Sequence, residues 1–419
     1  MRPMDRQSRR LTRRIVLKRG TLAAGALGLS GLAGPASAAD ISVSGGGDAL
    51  QAAIDSASPG DTVTVTDSTT YDPITVDKRL SIETGASPTI EGDGGTGAAV
   101  NIAADGVTLD GFSVTNPDGL LGVKVERGVD DATIVNNTVE NVGPTGRLGV
   151  TGIIVGQGDH DGIGIVNNTV QNLDQETTED SGFPTVNGIL FDADNSDPGT
   201  VTDTAVNNNV VRDIESDVAP LGIVVQHETD GMAINNNEIR GLVADDATDS
   251  DPSDNTDFGF TFAQGINIAS PSTVDTTING NVIEDITSAE TILPEAVKVD
   301  GDGGGLALRA NQFLVAIGLN NRNGERDNQG NPRDPAGDPE VDAKNNWWGS
   351  RDGPEAADFN QDADDDERSD VVGNVEFEPF LRNPPGGRGR GRGGGGPGTG
   401  NPGRGNGNGN GNSGRGRGN

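Results

Sequence analysis

The chain has 419 residues with 65 Gly, 22 Pro, 10 Phe, 2 Trp, 1 Tyr and no Cys, and its formal net charge is −34. Without cysteine the sequence excludes a disulfide, a thiolate metal site and a lipidated N-terminal cysteine. Because aromatic residues are scarce while hydrophobic residues make up 32% of the chain, a core must be built from small aliphatic side chains.

The acidic charge is concentrated in the middle of the chain. Over residues 40–382, 16 basic residues stand against 63 acidic ones, which gives a net charge of −47, and the whole chain has only five lysines. Such self-repulsion becomes tolerable in molar salt, where the Debye length falls to about 3 Å. Many aspartates with few lysines resemble the proteins of halophilic archaea. A polyanion of this kind is a poor partner for nucleic acid or anionic lipid.

The first 39 residues are typical of an export signal. Residues 12–18 read Thr-Arg-Arg-Ile-Val-Leu-Lys, an apolar stretch rich in Gly and Ala follows at 21–34, and Ala36-Ser37-Ala38 ends the segment. The order of basic, apolar and small-residue regions resembles a twin-arginine signal. A membrane-spanning helix needs about 20 well-apolar residues, whereas the apolar stretch at 21–34 is shorter and is interrupted by glycines. We therefore expect cleavage near Ala38 or Ala39, an extracellular or cell-surface protein, and no transmembrane span after cleavage.

One short pattern, with an aliphatic pair on each side of two or three asparagines, returns through the middle of the chain. The last asparagine of the motif recurs at irregular intervals, as Asn137, Asn168, Asn209, Asn237, Asn281, Asn311 and Asn346. Such a residue suits the corner of a stacked coil, because it tolerates left-handed backbone geometry and its amide can bond to the same amide one coil away. We predict that these asparagines form a structural ladder. Asn136 and Asn167 also fit the Asn-x-Thr glycosylation rule, and the sequence leaves their modification open.

A second element precedes most copies of that motif: a glycine followed by alternating aliphatic residues. Examples are Gly122-Val123-Lys124-Val125 and Gly188-Ile189-Leu190-Phe191. Short alternating runs predict half-buried strands. Single coils of such strands cannot bury their inner faces, but stacked coils can, so the repeat predicts a solenoid.

These motifs resemble the right-handed parallel β-helix repeat proteins of the pectin-lyase-like class, related to the periplasmic copper-enzyme accessory family. The segment Ala49 to Ile54 is similar to the helix that caps the first coil in that class, and Asn345 to Ser350 is similar to its terminal coil. The resemblance implies an all-β fold, a single-stranded right-handed parallel β-helix over residues 40–382 with a short N-terminal capping helix. Residues 383–419, rich in Gly, Asn and Arg, are expected to form a disordered tail.

Most repeats are longer than a minimal coil, and we expect their extra residues to form loops on one edge of the stacked strands. Loops of this kind flank one strand face and usually build a binding surface. Alternation places two outward columns on that face. They are Lys124, Ile154, Leu190, Val224, Asn267, Lys298, and Glu126, Gly156, Asp192, Gln226, Ala269, Asp300. The candidate binding residues are Asp192, Asp194, Gln226, His227, Lys298 and Asp300. The alternative interpretation is that they are ordinary solvated polar residues of an acidic protein.

Two further features carry weaker expectations. The outward aliphatic residues Ile154, Leu190 and Val224 would form an exposed apolar strip, so we expect a loop, a partner or a ligand to cover them. Asp362, Asp364 and Asp366 match the first three ligands of a calcium loop, but Glu367 replaces its glycine. No cofactor is required by the sequence, and calcium is the ion that these aspartates would take.

Three functions remain open from the sequence. The first is a secreted or surface-exposed scaffold that binds extracellular polysaccharide or another surface component without catalysis. The second, implied by the family resemblance alone, is a polysaccharide lyase or glycoside hydrolase. The third is an export-side accessory to a metalloenzyme, although 2 His and no Cys argue against direct copper handling. The sequence assigns no catalytic residue, no ligand and no oligomeric state.

Overall fold

Short parallel strands that return once per coil make up nearly all of the regular structure. A computed structural model describes residues 38–143, 149–175, 185–194, 198–244, 261–288, 293–300, 303–321, 340–354 and 369–385. The chain divides into two units between Ser37 and Ala38, and every described residue belongs to the second. The predicted export signal therefore lies outside the described residues, except for its last two positions, and most of the predicted tail lies outside them as well.

The strands, numbered in chain order, form four sheets. Sheet A contains β1 Asp40–Val43, β2 Thr62–Val65, β5 Ser81–Thr84, β8 Thr108–Asp110, β11 Thr133–Val135, β15 Gly164–Val166, β19 Ala205–Asn207, β23 Ala233–Asn235, β27 Thr276–Asn279, β30 Leu306–Arg309, β33 Val341–Asp342 and β35 Val375–Glu376. Sheet B contains β3 Thr70–Tyr71, β6 Thr89–Glu91, β9 Ser113–Asn116, β12 Thr138–Val142, β16 Thr169–Gln175, β20 Val210–Ser216, β24 Glu238–Ala244, β28 Val282–Ser288 and β31 Gln312–Leu314. Sheet C contains β4 Ile74–Val76, β7 Gly95–Ile102, β10 Gly119–Val125, β13 Val150–Val155, β17 Thr185–Phe191, β21 Ala219–Val225, β25 Gln264–Ile268, β29 Glu295–Val299, β32 Ile317–Asn321 and β34 Asp370–Gly373. Sheet D contains β14 His160–Asp161, β18 Thr200–Thr202, β22 Glu228–Asp230 and β26 Thr273–Val274.

The chain visits sheets A, B and C in turn, and each strand pairs in parallel with its counterpart in the next coil. Inward residues are aliphatic and fully buried, as in the column Val206, Ile234 and Ile278 of sheet A. The fold is a right-handed parallel β-helix, so the predicted fold class is confirmed. Sheet D was not predicted. It occupies the connection from sheet C back to sheet A, where four consecutive coils are long enough to pair a further short strand.

The described part of the chain has one helix, α1 at Ala49–Ser56, which lies at the N-terminal end of the coils and packs against β1, β2 and β4. Leu50 and Ile54, one helical turn apart, are fully buried by this contact. The expected capping helix is therefore present, extended by two residues. Among the described residues no helix is long and apolar enough to cross a membrane.

The corner between sheets A and B contains four residues in the first two coils and two residues in the seven coils from β8 to β30, and it holds the asparagine ladder. The backbone N–H and the side-chain Nδ2 of Asn168 both donate to Oδ1 of Asn209, at 2.9 and 3.1 Å. The same pair of bonds joins each neighbour along the buried series Asn137, Asn168, Asn209, Asn237, Asn281, Asn311 and Asn346. A buried amide thus satisfies two donors of the coil before it.

The left-handed backbone geometry belongs to the residue that precedes the ladder asparagine, which corrects the expectation from sequence. Asn136, Asn167, Asn208 and Asn236 have φ between 56° and 58°. Their side chains are exposed, because the left-handed residue turns the chain and sends the next side chain into the corner. The glycosylation of Asn136 and Asn167 stays a prediction.

Candidate functional site

The outer face of sheet C carries the residues singled out as a binding surface, and its register follows the expected columns. Lys124 pairs with Ile154, Ile154 with Leu190, Leu190 with Val224, and Val224 with Asn267. The column continues through Lys298 to Asn320, which the sequence reading did not include. A face of stacked, in-register side chains about 4.8 Å apart is therefore available on this side of the coils.

A third outward column lies on the same face, and strict alternation along the strands did not predict it. A Cβ placed on Gly188 would lie 2.5 Å from Cγ1 of Val211 in the core, so this glycine faces inward together with the neighbouring Ile189. Because the glycine and the aliphatic residue after it both face inward, the alternation is broken at this point, and the residue before the glycine faces outward. Gln264 and Glu295, which precede the equivalent Gly265 and Ala296, consequently share the outer face with Asn267 and Lys298.

Four of these polar side chains form a continuous hydrogen-bond network. Nδ2 of Asn267 donates to Oε1 of Gln264 at 2.8 Å, and Nε2 of Gln264 donates to Oε2 of Glu295 at 2.7 Å. From the other side, Nδ2 of Asn320 donates to Oε1 of Glu295. Gln264, Glu295 and Asn320 are each no more than 2% exposed.

The network leaves two amide oxygens without a partner. Oδ1 of Asn267 and Oδ1 of Asn320 are shielded from solvent and accept no hydrogen bond. A buried acceptor in this condition costs about 1–3 kcal/mol, and such groups are rare in folded proteins unless they serve a ligand or another special role. The two asparagines lie one strand to either side of Lys298.

Lys298 and Asp300 form an ion pair beside this network, with Nζ 3.0 Å from Oδ2 and side chains 27% and 31% exposed. Burial lowers the pKa of Lys298, but the charges of Asp300 and Glu295 outweigh it, so the pKa lies above its ordinary value. Burial raises the pKa of Glu295, and the charge of Lys298 offsets only part of this effect. The lysine is therefore held as a cation in a site that disfavours free negative charge.

Asp192, Asp194 and Gln226 lie together farther along the same face. The backbone N–H of Ala193 donates to Oε1 of Gln226 at 3.3 Å, which joins the two coils. Burial and the nearby charge of Asp194 raise the pKa of Asp192, against a smaller opposing effect from Gln157 and Lys124. Three strand spacings, roughly 14 Å, separate the position of Asp192 from that of Asp300. Five of the six candidate residues thus divide into two groups on this face.

His227 does not lie on this surface, which corrects the expectation from sequence. Its side chain is 0% exposed and its ring meets that of His160 edge to face, with the ring centroids 5.6 Å apart. Burial, with a smaller effect from His160, lowers the pKa of His227 to about 4, although carbonyl groups of Phe191, Gly158 and Gly156 oppose the shift. None of these carbonyls meets the geometry of a hydrogen bond to the ring. Both ring nitrogens of His160 do bond, to carbonyl oxygens at 2.7 Å.

The aliphatic strip is less exposed than its outward position suggested. Val224 is 2% exposed, and the side chains of Ile154 and Leu190 are half-buried. A second ion pair, Lys124 with Glu126 at 2.8 Å, lies at the other end of this strip from Lys298 and Asp300. The column from Lys124 to Lys298 thus has an ion pair at each end, with three aliphatic side chains and Asn267 between them.

Comparison with known proteins adds little beyond the fold. No protein-family model matches the chain, and no curated protein matches it. One solved structure that it resembles is the alginate lyase from Paenibacillus sp. str. FPU-7, at 13% identity and a TM-score of 0.37, over 65% of this chain and 94% of the other. A likeness this distant carries no argument about chemistry, so the fold assignment depends on the sheets described above.

No group of three or more potential metal ligands occurs within the described parts of the chain. Asp362, Asp364 and Asp366 lie outside them, so the calcium expectation stays a prediction. The sequence reading missed Gln264, Glu295 and Asn320. The signal for Gln264 and Glu295 is the small residue at 265 or 296, which follows each of them and begins an alternating aliphatic run, because only a small side chain fits the inward position there. Asn320 follows Gly318 and Leu319 as Lys298 follows Ala296 and Val297, which is the signal for its outward position.

Proposed function

We propose that this protein is an exported scaffold that binds extracellular polysaccharide on the outer face of sheet C and catalyses no reaction. Support for binding comes from the geometry of the face: in-register polar and aliphatic side chains repeat at the strand spacing, so they can follow an extended polymer. The aliphatic strip offers apolar surface to the C–H groups of sugar rings, and the amide network offers hydrogen bonds.

One observation favours binding over catalysis. Both lysines on this face are committed to ion pairs, Lys124 with Glu126 and Lys298 with Asp300. A lysine that acts as a general base must be neutral, which requires a lowered pKa, whereas the pKa of Lys298 is raised. The carboxyl groups of Asp192 and Asp300 cannot act as the pair used in glycoside hydrolysis, because they lie roughly 14 Å apart and such a pair must lie within about 10 Å. Asp192 lies nearer to Asp194, so the Asp192→Ala variant tests the hydrolase alternative directly.

The decisive experiment combines binding and turnover in one sample. Purified protein in molar KCl is mixed with a panel of neutral and uronate polysaccharides, retardation in affinity electrophoresis measures binding, and ultraviolet absorbance and reducing-sugar assays measure products. We expect retardation by at least one polysaccharide without product formation. Lys298→Ala should weaken retardation, while Lys344→Ala, which removes a lysine paired with Glu376 outside sheet C, should leave it unchanged.

Product that forms with the wild type and disappears in Lys298→Ala or Asp192→Ala would replace this proposal with the lyase or hydrolase alternative. Absence of both binding and product would reject both and leave the export-side accessory role. Export itself is tested separately: mass spectrometry of the extracellular protein should find an N-terminus near Ala38 or Ala39, and a peptide that contains Arg13 would contradict cleavage.

A further inference from the structure

We infer that Asn267, Lys298 and Asn320 form a subsite for the hydroxyl groups of an uncharged glycan of at least two linked sugars. The inference rests on the proposed function and specifies its ligand class. It starts from the two buried amide oxygens that have no partner.

The direction of the hydrogen-bond network fixes those oxygens as acceptors. Both carboxyl oxygens of Glu295 accept, one from Gln264 and one from Asn320, and Oε1 of Gln264 accepts from Asn267. Reversing any of the three amides would place oxygen against oxygen. While Glu295 is ionised, Gln264 and Asn320 therefore turn their NH2 groups to Glu295, and Asn267 turns its NH2 group to Gln264. Oδ1 of Asn267 and of Asn320 is left for an external donor.

The residue between them decides what kind of donor fits. Lys298 lies in register with both asparagines, and its ammonium group would repel a metal cation from either amide oxygen. A sugar hydroxyl suits all three groups, because it donates to an amide oxygen and accepts from an ammonium group. The side chains of Asn267, Lys298 and Asp300 are the partly exposed members of the cluster, so the ligand would enter there.

The charges on the outer face of sheet C argue against an anionic glycan. Lys298 is neutralised by Asp300 and Lys124 by Glu126, so the ordered cations of this face have no charge left for a sugar carboxylate. Burial is the main cause of the raised pKa of Glu295, and it would also penalise a sugar carboxylate at the subsite. In a chain segment of net charge −47, a uronate would meet carboxylates without a compensating cation.

The spacing of the acceptors sets the smallest ligand. Asn267 and Asn320 are two strand spacings apart, roughly 10 Å. One sugar ring is shorter than this distance, so hydroxyls of two linked residues are needed to reach both oxygens. The intervening lysine would then contact the region of the glycosidic linkage.

Isothermal titration calorimetry in molar KCl tests the subsite. The neutral probes are maltohexaose, cellohexaose and mannohexaose, and the anionic probes are galacturonate and mannuronate hexamers. We expect a neutral hexamer to bind and the uronates not to bind. Glu295→Gln introduces an NH2 group at residue 295, so a neighbouring amide must reverse, and affinity should fall by about tenfold. Asn267→Ala removes one acceptor and should act similarly.

Glu140→Gln is the matched control, because Glu140 also accepts from a glutamine amide, Nε2 of Gln171 at 2.6 Å, but on the outer face of sheet B. Thermal unfolding verifies that each variant is folded. If Glu295→Gln does not fold, Asn267→Ala tests the subsite in its place, because the side chain of Asn267 is only half-buried. Uronates binding in place of neutral hexamers would overturn this inference and leave the proposed function intact. Unchanged affinity in both variants would overturn the subsite, and no binding by any probe would overturn both proposals.

Discussion

Replacing His227 by phenylalanine should remove a large part of the acid sensitivity of the fold. The pKa of His227 is lowered from 6.5 to about 4 in the folded state, because the ring is buried against His160. Between these two values the unfolded chain binds a proton that the folded chain does not bind. Stability must therefore fall as the pH decreases through this interval.

The size of the effect follows from the shift. Each pKa unit corresponds to 1.36 kcal/mol, so the free energy of unfolding should lose about 3 kcal/mol between neutrality and a pH below 4 through this residue alone. Phenylalanine keeps an aromatic ring at this position, between sheets C and D, and binds no proton. Relative to the wild type, His227→Phe should therefore gain stability as the pH falls through this interval.

Urea denaturation in molar KCl, at a series of pH values across the interval, measures the curve of unfolding free energy against pH for each protein. High salt keeps the repulsion among the carboxylates from dominating the result. Val201→Ala is the matched control, since it opens a cavity in β18, the strand that pairs with β14 at His160, and introduces no titrating group. Its curve should run parallel to the wild type. Parallel curves for the wild type and His227→Phe would refute the burial argument.

Three further predictions concern the ladder, the inward glycines and the buried glutamate. Asn209→Ala removes the acceptor of two bonds from the coil before it and should cost about 3 kcal/mol in urea denaturation, whereas Asn208→Gly, at the exposed left-handed position, should cost almost nothing. Gly188→Ala should cost about 1–3 kcal/mol, because its Cβ would meet Val211, while Gly97→Ala meets nothing within 4 Å and should be neutral. Glu295→Gln should change the pH dependence in the opposite sense to His227→Phe. Because the pKa of Glu295 is raised in the folded state, the wild type loses stability as the pH rises from 4.5 through the folded pKa. The stability of the variant relative to the wild type should therefore increase as the pH rises over that interval. A flat difference there would contradict burial of this carboxyl group.

The repeat made most of the fold predictable. The asparagine motif and the aliphatic alternation each report a local geometry that recurs in every coil, so errors in one copy are corrected by the others. What failed was the assignment within a corner: two adjacent asparagines look alike in sequence, but Asn136 turns the backbone while Asn137 fills the interior. Only the backbone torsions distinguish them.

The candidate site was predicted less well, for a physical reason. Glu295 bonds to residues 31 and 25 positions away in the chain, and its exposure depends on an irregularity at a single small residue. Strict alternation of inward and outward residues would place Glu295 on the inner face of the sheet. His227 failed for a related reason: sheet D adds a corner that turns this ring into the interior, and the corner has no sequence signal stronger than a slightly longer connection.

The two-residue corner between sheets A and B has an evolutionary consequence. While that corner keeps its length in the seven coils from β8 to β30, the connections from sheet B to sheet C range from 2 residues, after β20, to 19 residues, after β24. Insertions and deletions on that edge leave the hydrogen-bonded spine untouched. A lineage could therefore exchange the material flanking the outer face of sheet C, and with it the preferred ligand, without having to find a new way to fold.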